Sequence, residues 1–153
     1  MDVRSIKTEE ESMIVRDANA VWSGPLKKGK GTLRFGGFEG TYSFPSRFEA
    51  GQGTNPEELI GAAHAGCFSR ALSLVLGHAG LVPASIQTSA RVHLDPEALT
   101  ITRIELRTEV AVDGVDEAAL REHAEEARAA CPVSKALAGV DIRLEEVRLG
   151  KES

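Results

Sequence analysis

Asn55-Pro56-Glu57-Glu58-Leu59-Ile60-Gly61-Ala62-Ala63-His64-Ala65-Gly66-Cys67-Phe68-Ser69-Arg70-Ala71-Leu72-Ser73-Leu74-Val75-Leu76-Gly77 is the stretch on which the fold turns. Asn55 brings a side-chain acceptor to the N–H groups that the first turn of a helix leaves without partners. Pro56 suits the first helical position, and the Glu57 and Glu58 carboxylates meet the positive end of the dipole. The spacing predicts a helix from Pro56 to about Gly77, ended by Gly77, Gly80 and Pro83. Its Leu59, Ile60, Ala62, Ala63, Phe68, Leu72, Leu74, Val75 and Leu76 are apolar nearly all round. A helix of that kind is buried in a core or an interface.

Downstream, Ser85–Leu94 alternates, with Ile86, Thr88, Ala90, Val92 and Leu94 on one side and Gln87, Ser89, Arg91 and His93 on the other. After the Asp95-Pro96 turn, Ile104, Leu106, Thr108, Val110 and Val112 alternate against Arg103, Glu105, Arg107 and Glu109. This is the pattern of an antiparallel pair with one wet face. Asp116 caps a second helix to about Ala130, Pro132 interrupts it, and Val133–Leu137 reads as one further turn. Val140, Ile142 and Leu144 form a last strand. Upstream, strands are expected at Ile14–Trp22, Thr32–Phe35 and Thr41–Phe44, with a basic turn over Ser23–Gly31 and a loop carrying Arg47. Strands come in groups and do not alternate singly with helices, so the fold class is α+β. A polar, solvated tail is expected over residues 1–12, followed by a single domain over 13–153.

Composition narrows the function. Lys plus Arg is 18 and Asp plus Glu is 23, a net charge of −5 over 153 residues. That sign argues against nucleic acid and anionic membrane as partners, because phosphates demand a cationic surface. No apolar run is read as approaching the ~20 residues of a bilayer span. Met1–Ser12 has no secretory apolar segment, so the expected compartment is cytoplasmic. Two cysteines are too few for a disulfide scaffold, and there is no CxxC, HExxH or Cys/His cluster at metal spacing.

Cys67 lies mid-helix. A free cysteine in such a place is ordinarily a small buried hydrophobe. His64 and Arg70, each three residues away, can lie near it and favour a thiolate, and Cys131 is available as a second thiol. Cys131 precedes Pro132 at a helix break, where N–H groups can acidify a sulfur; the alternative is a buried thiol at an ordinary helix end. Arg47, between Phe44 and Phe48, is a candidate positioned cation, although most arginines are solvated. Glu57 is sufficiently explained as a helix-start carboxylate. His64, His78, His93 and His123 are read as structural or surface residues.

The run from Arg47-Phe48-Glu49 through Gly53-Thr54-Asn55-Pro56-Glu57-Glu58 to His64-Ala65-Gly66-Cys67-Phe68-Ser69 resembles the signature of the OsmC/Ohr family. Ala130-Cys131-Pro132-Val133-Ser134 resembles its second-cysteine motif, and Trp22 with Gly29-Lys30-Gly31-Thr32 favours the OsmC branch. The resemblance spans about Val15 to Leu149. Gly66, where Ala is expected, and Arg70, where a neutral residue is usual, depart from it.

The resemblance implies an OsmC-like fold, with antiparallel sheets around a long buried central helix, in an intertwined homodimer. It implies a thiol-dependent peroxidase without metal, haem or other cofactor, which reduces organic hydroperoxides to alcohols and hydrogen peroxide more weakly. Cys67 would be the attacking cysteine and Cys131 the resolving one. Arg47 would stabilise the thiolate and polarise the peroxide, and Glu57 would hold Arg47. A thiol or a dithiol of lipoyl type would be the reductant. Two other readings are a cysteine hydrolase with His64 or His93 as base, which leaves Cys131 without a role, and a non-catalytic binding or stress protein of the same fold.

Overall fold

The computed structural model describes residues 12–150, and these fall into two units, one running to Thr54 and the other from Asn55. Apart from Ser12, the expected tail lies outside the described residues.

In the first unit, β1 (Ala18–Ser23), β2 (Lys30–Phe35) and β3 (Phe38–Tyr42) form an antiparallel meander. Gly36 and Gly37 turn β2 into β3 at φ +52° and +82°, the pair of positive values that a tight two-residue hairpin requires. Gly31 has no Cβ, and the ring of Tyr42 occupies that space, with its centroid 5.5 Å from that of Trp22. Two expectations are corrected here. The first strand begins at Ala18 rather than Ile14. The segment around Arg47 is not a loop but a short helix, α1 (Phe44–Phe48). The Ser43 hydroxyl accepts from Ser46 N, the Ser46 hydroxyl accepts from Ser43 N at 2.8 Å, and Pro45 sits in the first turn, so the helix start is satisfied reciprocally. The same cap ends β3 at Tyr42, two residues before the expected Phe44.

In the second unit, α2 (Pro56–His78) begins as the sequence predicts: the Asn55 side chain accepts from Glu58 N at 2.8 Å. β4 (Ser85–Asp95) pairs antiparallel with β5 (Thr100–Ala111). α3 (Glu117–Ala130), capped by Asp116, and α4 (Pro132–Ala136) then carry the chain back to β6 (Asp141–Leu149). β6 lies parallel to β5, giving the order β4-β5-β6. Antiparallel pairing therefore holds for β4 with β5, while the helical crossover permits a parallel edge.

The buried face of α2 is Glu57, Gly61, His64, Phe68, Leu72, Val75 and Leu76, at helical spacing. Phe68, Leu72 and Leu76 are fully buried with Ile104, Leu106, Val110, Leu120, Ala124 and Ala127. Each large side chain withdrawn from water in this way contributes about 1.5–3 kcal/mol. Gly61 lets the helix approach the sheet, since a Cβ there would lie 3.4 Å from Val92 Cγ2. A hydroxyl ladder crosses the same layer: Ser69 Oγ donates to Thr88 Oγ1 at 2.8 Å, and Thr88 Oγ1 lies 3.1 Å from Thr108 Oγ1. On the opposite side of α2, Leu74 is 61% exposed among the described residues.

By length and hydropathy alone α2 could cross a bilayer, a property the sequence reading overlooked. Its packed face nevertheless makes it the core helix of this unit. The expected wet face of the sheet is also not uniformly wet. Glu105 is buried between His93 Nε2 at 2.8 Å, Arg103 at 3.0 Å and Arg107 at 3.5 Å. Burial alone would raise its carboxyl; the His93 hydrogen bond and the neighbouring positive charges outweigh that and hold it below the usual carboxylate value.

Candidate thiol site

Sequence places Cys67 and Cys131 64 residues apart, and the fold brings their sulfurs to 3.0 Å. Cys67 sits on α2, half-buried, one residue from the fully buried Phe68. Cys131 stands between α3 and α4, with its N–H on Ala127 O at 2.9 Å and its C=O accepting from Lys135 N at 3.0 Å. Pro132 has no N–H to continue α3, and its fixed φ opens α4, so this break holds the Cys131 sulfur against α2.

Across that gap the Cys131 thiol donates to the Cys67 sulfur. Burial pushes the Cys67 thiol up, and the hydrogen bond with Cys131 adds to that; the Val133 N–H and the Arg70 charge pull the other way without prevailing. Burial also opposes ionisation of Cys131, but the Cys67 thiol, the Ser134 N–H and hydroxyl and the Val133 N–H together bring it below the ordinary thiol value. The neutral Cys131 thiol makes no cap hydrogen bond to α4. These donors act on the charged sulfur, a far stronger acceptor. Burial and Cys131 thus oppose ionisation of Cys67, while the donors around Cys131 favour its charged form.

The remaining sequence candidates are placed as follows. Arg47 is exposed on α1, with its guanidinium 5.4 Å from the centre of the Phe48 ring, and belongs to the first unit. Glu57 is buried in the first turn of α2. Ten residues of helix separate it from Cys67, a rise of about 15 Å. Arg70 is exposed, and its charge favours the Cys67 thiolate. His93 is bound to Glu105, and His64 Nε2 lies 2.8 Å from Ser134 Oγ, so neither histidine is engaged as a base on Cys67. The His64–Ser134 link escaped the sequence reading. Its only signal was positional, since each residue stands three places from one of the two cysteines.

Gly66 departs from the expected Ala, yet a Cβ there would meet nothing within 4 Å. Gly66→Ala is expected to stabilise the protein by about 0.5–1 kcal/mol through helix propensity, read as a raised Tm with unchanged thiol reactivity. A fall in Tm would mean that this side of α2 is covered by something outside the chain.

Two facing cysteines, one carried by a long core helix and one by a helix break, define a dithiol centre in an α+β scaffold. Residues 49–145 match the OsmC-like protein family. The chain is 49% identical over 129 residues to Peroxiredoxin OsmC of Escherichia coli strain K12, covering 81% of this chain and 90% of that protein. It is 35% identical over 94 residues to Organic hydroperoxide resistance protein OhrA of Bacillus subtilis strain 168, covering 60% of this chain and 66% of that one. In structure it is similar to the OsmC-like protein from Mycoplasma pneumoniae, at a TM-score of 0.71 and 16% identity over 90% of this chain and 99% of that one, a likeness of fold. The chain belongs to the OsmC-like protein family.

Proposed function

We propose that the protein reduces organic hydroperoxides with Cys67 as the attacking thiolate and Cys131 as the resolving thiol. It is a peroxiredoxin-type, thiol-dependent hydroperoxide reductase, as its likeness to Peroxiredoxin OsmC indicates. The observation that carries the reading is the 3.0 Å approach of the two sulfurs. From there the S–S bond needs only about 1 Å of further approach.

The Cys67 thiolate attacks the distal peroxide oxygen, the O–O bond breaks, and the alkoxide takes a proton and leaves as the alcohol. Sulfur is oxidised by two electrons to the sulfenic acid. The Cys131 thiolate then attacks that sulfur, hydroxide leaves and is protonated to water, and a disulfide remains. An external dithiol, which we assign to the lipoyl type, returns the pair to thiols by exchange. Because burial and Cys131 both raise the Cys67 thiol, its ionisation calls for a cation beyond Arg70. Arg47 is our candidate, with Glu57 as its anchor.

The working form is a homodimer. In support, Ala62, Ala63 and Leu74 of α2 are exposed among the described residues, Leu74 by 61%, and Val82 just beyond the helix by 86%. We place the protein in the cytosol, where small thiols maintain the reduced pair.

The test is thiol loss on titration with cumene hydroperoxide, hydrogen peroxide or an activated ester. Loss of two thiols per chain, faster with the organic peroxide, is expected. Acyl transfer without thiol loss would establish a cysteine hydrolase, and no reaction at all a binding protein.

A further inference from the structure

Two residues beside Cys67 depart from the family pattern, Gly66 and Arg70, and they stand four positions apart on α2. Side chains at that spacing share one face of a helix. Both residues are exposed. A Cβ on Gly66 would meet nothing within 4 Å, so the surface there is an open step. His64 and Arg70 are each three residues from Cys67, some 60° to either side of it around the helix axis. His64 is fully buried, Arg70 is exposed, and Cys131 closes on the sulfur at 3.0 Å. The accessible flank of the half-buried Cys67 is therefore the Arg70 flank.

The Arg70 guanidinium is within reach of that flank. Helical side chains three residues apart have Cβ atoms about 5–6 Å from each other, and a long side chain leans back toward the helix N-terminus, here toward the Cys67 turn. Its charge is felt at the sulfur, yet burial and Cys131 outweigh it there. No acidic neighbour on the helix neutralises it: the residues three and four places away are Gly66, Cys67, Ser73 and Leu74. Arg70 also takes part in no ion pair among the described residues. A planar fork of N–H donors, matched in shape to a carboxylate, thus borders the way to the attacking sulfur.

From this placement we propose that Arg70 is a specificity-determining residue: its guanidinium binds a carboxylate on the substrate, so that the preferred hydroperoxides are compact organic acids with the anionic group close to the peroxide. The inference rests on the peroxidase reading and deepens it by naming the substrate class of the same site. The chemistry at sulfur is unchanged. The Cys67 thiolate takes the distal oxygen, the O–O bond breaks, and the alkoxide is protonated and leaves as a hydroxy acid. Arg70 touches only the carboxylate. Without a cation there, a carboxylate brought close to a thiolate is repelled; the guanidinium turns that repulsion into attraction. A neutral hydroperoxide gains nothing from this contact.

The experiment uses the full chain with dithiothreitol as reductant and compares kcat/KM for cumene hydroperoxide and for its 4-carboxy derivative, two substrates matched at the peroxide. The thiolate fraction of Cys67 is common to both and cancels in the ratio of the two values. Arg70→Gln is expected to lower the ratio of carboxylated to neutral substrate about fivefold. Arg70→Lys, which keeps the charge, is expected to keep most of the ratio. Raised salt should lower the ratio in the wild-type chain and leave it unchanged in Arg70→Gln. Arg70 is exposed, so neither substitution disturbs the core. The proposal is overturned by an unchanged ratio in Arg70→Gln, which would leave Arg70 acting on the thiolate alone, or by Arg70→Lys losing the ratio as fully as Arg70→Gln. Failure of the wild-type chain to consume either hydroperoxide would instead defeat the peroxidase reading, before any variant is compared.

Discussion

Cys67→Ser is expected to consume no hydroperoxide, whereas Cys131→Ser is expected to consume about one equivalent per chain and then stop. A serine hydroxyl in place of the Cys67 thiol is a far weaker nucleophile, and it cannot hold the oxygen atom as a sulfenic acid. In Cys131→Ser the first step survives, because the attacking sulfur remains. The sulfenic acid then has no thiol 3.0 Å away and accumulates or overoxidises. Mass spectrometry of Cys131→Ser after peroxide should find the added oxygen on Cys67. The same variant reads the electrostatics: removing the Cys131 sulfur removes a hydrogen bond and a charge that both raise the Cys67 thiol, so alkylation of Cys67 near neutral pH should become faster. The opposite outcome is equally plain. A single turnover in Cys67→Ser, with oxygen on Cys131, would reverse the roles and make Cys131 the attacking sulfur.

Local chemistry was legible in the sequence, and long-range geometry was not. The Asn55-Pro56-Glu57-Glu58 start, the alternation of β4 against β5, the Asp116 cap and the Cys131-Pro132 break all stand where side-chain spacing put them, because each is decided by residues within a few positions. The helix at Phe44–Phe48 was misread as a loop because aromatic, Pro and Ser residues suit both, and only the reciprocal Ser43–Ser46 bonds tip the balance. The parallel course of β6 depends on where α3 and α4 deliver the chain, which no local pattern encodes. Within the site, the 64-residue separation of the cysteines carried no spatial information, and the His64–Ser134 contact spans 70 residues. The resemblance supplied the cysteine pair; packing alone supplied the histidine and the serine beside it.

Co-refolding Cys67→Ser with Glu57→Ala, each expected to be inactive alone, should recover about a quarter of the wild-type activity per chain. Random pairing in a twofold dimer gives about half mixed dimers, and each of these regains one site of two. The reasoning begins on α2, which runs unbroken from Pro56 to His78. A continuous helix carries Glu57 about 15 Å along the axis from Cys67 of the same chain and turns the two side chains some 80° apart. One glutamate cannot span that distance to serve its own cysteine. In an intertwined dimer, Glu57 of one chain would instead serve Cys67 of the other. The mixed dimer then holds one site with both residues intact and one with neither. If heterodimers form, shown by mass spectrometry of differently tagged chains, and activity stays at zero, both residues serve a site within one chain. In that case Glu57 acts over the length of its own helix through intermediates, and the open side of α2 needs another occupant.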